Sequence, residues 1–309
     1  MFTKTSSSLA GAAVALVLVG QDPAAKAPTV TGFDRSTWTP PGEALTLVQE
    51  HRYRMIGRVR PLLAFWIDRD NVGAGEIRWK SGEDAAVAYE LVIGSDPARA
   101  PGGLNRWGYI AEEIRSDETR VLGVISKSDE DSLGAVRSGP GDATRSQQFE
   151  TIRATVTSTQ AQAMLSIVRT PPGLTYHDVR VLLDRVLDDS DPAKFRELAR
   201  PPGTRPGFLS SVAELMGAQA RPGTRIPYIY GGHIYDLRLT SKVPLATFRL
   251  GDRAYERVMQ SGFEIRDPAG SDRWRFDLTY GTEGRLSGVP IVILYRPRWW
   301  LEVELRLEG

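Results

Sequence analysis

The sequence contains no cysteine. This absence excludes disulfide bonds, thiolate zinc sites, iron–sulfur clusters and cysteine nucleophiles, and also a lipoprotein anchor, which requires a cysteine after the signal sequence. Histidine is almost as scarce, since only His51, His177 and His233 are present. None of the three lies at the H-x-x-x-H or H-E-x-x-H spacing of a helical zinc site. Such a zinc site is therefore excluded.

An excess of charge of one sign is also lacking, because Lys+Arg number 39 and Asp+Glu number 38. No overall field is available to attract nucleic acid, so no nucleic-acid partner is expected. The phosphate-binding patterns G-x-x-x-x-G-K-[ST] and G-x-G-x-x-G are missing, and so is the G-x-S-x-G elbow of serine hydrolases. We therefore expect no cofactor, and we favour a binding protein over an enzyme.

The chain has no apolar run long enough to cross a bilayer as a helix. The longest, Leu9–Gly20, is too short for a hydrocarbon core of roughly 30 Å at about 1.5 Å per residue. Lys4 precedes this run and an A-x-A site, Ala25–Ala27, follows it, which is the order of a secretory signal peptide. The pattern predicts a signal peptide over 1–27 and an exported, periplasmic or extracellular protein without a transmembrane segment in its mature part. An uncleaved anchor or a buried N-terminal helix is the alternative.

The composition is typical of a globular protein, because 41% of the 309 residues are hydrophobic and 25% are charged. Residues 28–43 have no periodicity and are expected to form an extended lead-in. Between 44 and 170, short stretches of alternating or continuous apolar residues, such as VAYELVI (87–93) and WGYIAEEI (107–114), are separated by Gly, Pro and Asp clusters. This pattern predicts an N-terminal antiparallel β region.

The middle of the chain changes to helical spacing, and 171–224 is expected to be a helical insert. Thr175 and Asp178 fit a capping box, and the apolar residues that follow have the spacing of an amphipathic helix. Asp191-Pro192 has the form of a second helix start. The three predicted helices, which make an insertion around 174–218, are 176–188, 191–200 and 208–216.

The last segment, 225–309, returns to alternation. Phe276, Leu278 and Tyr280 alternate with polar residues, and short links join the successive stretches. Short links demand antiparallel neighbours, because a parallel pair needs a long crossover. The fold class predicted is therefore mainly β (α+β), with antiparallel sheets arranged as a sandwich or as a curved open sheet. Whether the two β regions share one core is left open by the sequence.

The segment WIDRDNVGAGEIRW (66–79) is rich in carboxylates. Asp68 and Asp70 occupy positions 1 and 3 of an EF-hand-like loop, but positions 5 and 12 are Val72 and Trp79 instead of ligands. A looser metal site of Asp68, Asp70 and Asn71, or a catalytic pair drawn from Asp68, Asp70 and Glu76, are the functional alternatives. The favoured interpretation is a turn between a strand that ends at Trp66 and one that begins near Glu76.

A second candidate site is YIYGGHIYDL (228–237). Here His233 follows two glycines and is flanked by Tyr230 and Tyr235, a composition suited to an aromatic-lined ligand pocket. A strand with a glycine bulge explains the same residues. Trp300, which alternation places on a polar face, is a further candidate for ligand binding.

These observations predict an exported, soluble β-rich protein that binds an apolar ligand or an envelope protein without catalysis. The alternatives are a secreted hydrolase that uses carboxylates and a structural module of the envelope. A deep apolar cavity would favour a carrier, convergence of Asp68 and Glu76 on one cleft would favour an enzyme, and a flat sheet without a cavity would favour a structural module. The sequence satisfies no family signature.

Overall fold

The computed structural model describes residues 38–59, 67–100, 105–126, 147–171, 173–188, 194–267, 273–298 and 301–309. The predicted signal peptide (1–27), most of the lead-in, Trp66 and Trp300 lie outside the described residues. In the part described, all fourteen strands belong to one sheet, and there are two α-helices. The strands are β1 (Thr46–Val59), β2 (Ile67–Ser81), β3 (Val87–Ser95), β4 (Trp107–Ile114), β5 (Glu118–Ser126), β6 (Gln147–Thr157), β7 (Gln160–Thr170), β8 (Lys194–Ala199), β9 (Arg225–Tyr230), β10 (His233–Leu250), β11 (Arg253–Arg266), β12 (Arg273–Gly281), β13 (Pro290–Arg298) and β14 (Leu301–Leu307). The helices are α1 (Val179–Asp188) and α2 (Phe208–Met216).

The sheet order is β8-β7-β6-β5-β4-β3-β2-β1-β14-β13-β12-β11-β10-β9. Every pairing except β1 with β14 joins strands that are consecutive in the chain, and all are antiparallel. The prediction of a mainly antiparallel β fold is confirmed. The β1–β14 ladder, which runs from Tyr53↔Leu307 to Val59↔Leu301, joins the two β regions into a single sheet.

The inner face of the sheet, defined as the face that carries Tyr53, Phe276 and Leu305, holds the largest core cluster. Residues from both halves of the sheet contribute to this cluster, and so do Phe208 and Leu215 of α2. The sheet is therefore curved, and its two halves face each other across α2. The edge strands β8 and β9 also approach each other, because their residues share a small apolar cluster.

The opposite, outer face is covered in two places. The segment around α1 packs on the first half, where Trp107 and Phe149 lie with ring centroids 4.7 Å apart and Leu182 is fully buried. The distal part of the β10–β11 hairpin packs on the second half through residues such as Phe248 and Tyr255. Neither α1 nor α2 is long and apolar enough to span a membrane, and the described ranges contain no other α-helix.

The predicted helical insert is partly wrong. A 3₁₀ turn at Tyr176–Asp178 leads into α1, and α2 coincides with the third predicted helix, so these two are confirmed. The second predicted helix is instead strand β8, whose Phe195 pairs with Met164 of β7. Asp191 and Pro192 lie outside the described residues, and in 194–199 pairing with β7 decides for a strand.

Candidate functional site

The predicted turn at 68–76 does not exist, because β2 runs without interruption through these residues. Instead of reversing, the chain forms a bulge in which 70–72 lie opposite Ile56 alone, with Asn71 at φ 58°. Gly73 allows β2 and β3 to approach closely, since a Cβ there would collide with the backbone carbonyl of Gly94 on β3. Polar and glycine residues that resemble a turn are therefore used to bend a long strand.

Asp68 and Glu76 lie far apart on the outer face. Asp68 pairs with Arg58 at 3.5 Å between Oδ2 and Nε, and Glu76 forms an ion pair with Arg78. Their partners on β1, Arg58 and Arg52, are six positions apart, which corresponds to about 20 Å at ~3.3 Å per residue. That is well beyond the roughly 5–10 Å of a glycosidase-like pair. The geometry does not support Asp68 and Glu76 as a catalytic pair.

The structure also gives no support to a metal site formed by Asp68, Asp70 and Asn71. Asp68 is engaged by Arg58, and Asp70 lies in the bulge with an exposed side chain. Across the described ranges, no three His, Cys, Asp or Glu side chains are grouped so that they could hold a metal ion. A metal role for this segment stays a prediction without geometric support.

The fold brings together the residues of the second candidate site, Tyr230, His233 and Tyr235. Gly231 and Gly232, with φ of 58° and 77°, form a two-residue hairpin turn between β9 and β10, so the predicted glycine bulge is a turn. His233 pairs with Tyr230 across this turn, and its ring lies 6.3 Å from that of Tyr235. Tyr230 and Tyr235 are buried, so the group is part of a packed interior rather than an open pocket.

His233 connects the hairpin to the edge strand β8. Its Nε2 contacts Nη1 of Arg196, and Arg196 also donates to the carbonyl oxygen of Gly231 at 3.1 Å. A guanidinium can only donate, so Nε2 is the acceptor and the ring proton lies on Nδ1. Gly232 permits this approach, because a Cβ there would lie 2.7 Å from Cβ of Arg196. Through Arg196, His233 thus joins the two sheet edges.

Tyr230 reaches across the interior to β5. Its hydroxyl lies over Gly123, where any side chain would collide with it. Among the residues described, the hydroxyl has no hydrogen-bond partner, and burial raises the pKa of Tyr230 well above its usual 10.0. Tyr230 therefore remains a neutral phenol that fills space left by a glycine.

The beginning of α2 is held by a carboxylate of the sheet. Glu112 on β4 is fully buried and accepts hydrogen bonds from the backbone N–H groups of Leu209 at 2.7 Å and Ser210 at 2.9 Å. Gly207, which precedes the helix, has no capping side chain, and a Cβ there would collide with the Glu112 carboxyl. Burial raises the pKa of Glu112 above 4.5, against the opposing effect of these hydrogen bonds.

The end of α2 is held by a cation. The Nζ of Lys242, on β10, donates to the carbonyl oxygens of Gly217 at 2.6 Å and Met216 at 3.2 Å. The hydroxyl of Tyr280 donates to the same Met216 oxygen at 3.1 Å. The carboxyl group of Glu112 at the first turn and the Lys242 cation at the last turn satisfy backbone groups that the helix leaves unpaired, and the cation also interacts favourably with the helix dipole. The helix is consequently fixed at both ends inside the curved sheet.

Sequence reasoning missed Glu112. The one available signal was the pair Glu112-Glu113 at the end of an apolar strand, where alternation allows only one of two neighbours to face solvent. Both are buried, and Glu113 faces outward, where it accepts from the backbone N–H of Gly42 at 2.7 Å. Two adjacent buried acids in a strand indicate that other elements cover both faces.

A cluster of exposed apolar residues lies at the rim of the sheet. Six large hydrophobic residues are conspicuously exposed in the described ranges, and three of them, Leu47, Val48 and Trp79, sit in one bulge between β1 and β2. We refer to these three as the Trp79 corner. Exposed apolar side chains that are grouped, rather than scattered, mark interaction surfaces.

Comparisons with known proteins add little to this geometry. No family model matches the chain, and no curated protein matches it. Among solved structures, the chain is similar to a beta-barrel-like protein of the domain of unknown function DUF1849 from Brucella abortus, with 8% identity and a TM-score of 0.41. The match covers 84% of this chain and 95% of that one. So loose a likeness carries no argument about function, and the fold assignment rests on the sheet described above.

Proposed function

We propose that this chain is an exported, non-catalytic protein of the cell envelope that binds a partner protein through the Trp79 corner. Export is supported by the order of basic, apolar and small residues within 1–27. The observation that carries the binding function is the grouping of Leu47, Val48 and Trp79, which are 48%, 48% and 37% exposed, within one bulge of the sheet rim.

The surroundings of the corner favour a basic partner. Glu43 precedes β1, and Glu83 and Asp84 form the β2–β3 turn beside it. All three side chains are exposed, and none forms an ion pair with a described Lys or Arg. The complementary occupant is a protein segment that presents an aromatic or aliphatic side chain flanked by Lys or Arg.

The interior argues against the apolar-ligand carrier. The space between the two halves of the sheet is occupied by Phe208 and Leu215 of α2 and by the aromatic rings around them, such as Phe276, 6.1 Å from Phe208 between centroids. Of the carboxylates proposed for a hydrolase, Asp68 and Glu76 are separated and paired with arginines. Binding at the surface is therefore better supported than transport of an enclosed ligand or hydrolysis.

Site-specific photo-crosslinking in the native host tests the binding surface. Val48 and Val181 are equally exposed, at 48%, but Val181 lies on α1, away from the corner. A photoreactive residue at position 48 should give one discrete adduct, and the same residue at 181 should not. The captured protein, purified, should bind the wild-type chain at least about tenfold more tightly than Trp79→Ala, and more weakly as salt rises. Equal adducts from both positions, or no adduct at 48, would overturn the proposal.

Two further measurements separate export and carrier function. Cell fractionation with N-terminal sequencing should find the mature chain outside the cytoplasm, beginning after residue 27; an unprocessed cytoplasmic chain would contradict export. Native mass spectrometry of the protein purified from its host should show no lipid enclosed by the sheet. A stoichiometric lipid that is retained by Arg253→Gln would instead restore the carrier hypothesis.

A further inference from the structure

A cavity of about 400 Å³ lies between the tip of the β10–β11 hairpin and the outer face of β1 and β14. Its lining includes Arg54 from β1, Arg306 from β14 and Arg253 from the start of β11. Leu250 and Tyr255 contribute apolar wall from the hairpin. The volume is in the range of small-molecule sites, which run from about 300 to 1,000 Å³.

The three arginines are placed where they repel one another. Arg54 and Arg306 are directly opposite in the β1–β14 ladder and so share one face. Like charges in such cross-strand positions are destabilising unless an anion lies between them. Arg306 is partly compensated by Glu304, its neighbour on β14, but Arg54 and Arg253 have no carboxylate partner among the residues described.

Elsewhere on the same face, arginines are matched by acids. Arg58 is paired with Glu304, at 3.0 Å between Nη1 and Oε2, and Arg296 with Glu302, at 3.0 Å between Nε and Oε1. Arg78 is paired with Glu76 in the same manner. Against this pattern, two unpaired guanidiniums at one cavity are an exception, and they leave donor groups free for a bound anion.

We propose that this cavity binds a small molecule or headgroup that carries a phosphate group. Guanidinium groups bind phosphate through paired N–H donors, and a tetrahedral phosphate has enough acceptor oxygens for three arginines, whereas a carboxylate has two. Asp252 and Glu308 also line the cavity beside the arginines. These two carboxylates suit a hydroxyl or ammonium group on the same ligand, which a bare polyphosphate lacks.

Titration with inorganic phosphate, glycerol 3-phosphate and chloride tests the site, with calorimetry and thermal unfolding as readouts. Both phosphates should bind saturably and raise the unfolding temperature, and chloride at equal ionic strength should not. Arg253→Gln, at an exposed hairpin tip, should weaken binding about tenfold or more. Arg249→Gln is the matched control, because Arg249 is exposed on the same hairpin but does not line the cavity.

Arg54→Gln supplies a readout that a purely structural role would not give. Without phosphate it should raise the unfolding temperature, since it removes the repulsion with Arg306, and with phosphate it should show no further rise. Absence of saturable binding to every probe, or equal affinity in Arg253→Gln and Arg249→Gln, would overturn the proposal.

The source of the phosphate is distinguished with vesicles of phosphatidylcholine, with and without phosphatidylglycerol. Binding to the anionic vesicles that Arg253→Gln abolishes, without binding of free glycerol 3-phosphate, would identify a lipid headgroup; the reverse would identify a soluble ligand. The proposal is independent of the Trp79 corner, because Trp79→Ala should leave phosphate affinity unchanged.

Discussion

Helices α1 and α2 lie on opposite faces of the same sheet. α1 is capped by residues of its own segment, and α2 by residues of distant strands. α1 is reached through a first turn whose caps are local: the hydroxyl of Thr175 accepts from the backbone N–H of His177, and the carboxylate of Asp178 accepts from the backbone N–H of Thr175. α2 has no capping side chain of its own and relies on Glu112 and Lys242, which come from distant strands. A helix on the outer surface is thus specified by its own segment, whereas a helix enclosed by the sheet is specified by the sheet.

The reason for the difference is environment. α1 has 10 residues and α2 has 9, and isolated helices below about 12–15 residues are marginal in water, so both depend on stabilising contacts. The N–H groups of Leu209 and Ser210 bond to the fully buried carboxyl group of Glu112, and each one left without an acceptor costs about 1–3 kcal/mol. The carboxyl group of Glu112 accepts from these N–H groups and removes this cost, and the Lys242 cation at the other end interacts favourably with the helix dipole.

The largest effect is expected from Glu112→Ala. It leaves the buried N–H groups of Leu209 and Ser210 without acceptors, and we expect the free energy of unfolding to fall by about 2–4 kcal/mol. Chemical denaturation measures the loss, and hydrogen exchange should show that α2 opens before the sheet. A loss below about 0.5 kcal/mol would contradict the role of Glu112 as the cap of α2.

Glu112→Gln separates the charge of this cap from its hydrogen bonds. The pKa of Glu112 is raised on folding, so its contribution to stability is fully present below 4.5 and is lost as pH rises through the higher folded value. As pH rises above 4.5, the unfolding free energy of the wild type should therefore fall relative to that of Glu112→Gln. A difference that stays constant with pH would show that the carboxyl of Glu112 is not perturbed.

An intermediate effect is expected from Lys242→Met, which removes the cation from the end of α2 but keeps the length of the side chain. We expect a loss of about 1–2 kcal/mol in unfolding free energy. Lys194→Met, in edge strand β8, is the matched control, since Lys194 is exposed, and we expect a change within about 0.5 kcal/mol. Equal losses in both variants would indicate that the cap has no special contribution.

The smallest effect is expected from Thr175→Ala. Loss of the local cap should cost about 0.5–1 kcal/mol and should increase hydrogen exchange in α1 while leaving α2 unchanged. Amide exchange measured residue by residue checks both halves of this expectation. Increased exchange in α2 would mean that the two helices are coupled through the sheet, and the contrast between them would have to be abandoned.

Parts of the candidate sites could be predicted from the sequence. The group of Tyr230, His233 and Tyr235 follows from chain proximity, because two glycines set a tight turn. Its ligand-binding role stays a prediction. The prediction of a turn at 68–76 was wrong because Asp, Asn and Gly suit a bulge as well as a turn, and only the strand opposite decides between them. The exposure of Trp79 likewise depends on what other elements leave uncovered.

The sequence by itself determined the class of the fold, the antiparallel pairing of neighbours and the position and local cap of α1, since alternation, link length and capping residues act over a few residues. Tertiary structure decided that both β regions form one curved sheet, that 194–199 is a strand, and that Glu112 and Lys242 hold α2. These outcomes depend on buried backbone groups and charges that find partners far away in the chain, and no local pattern encodes such partners.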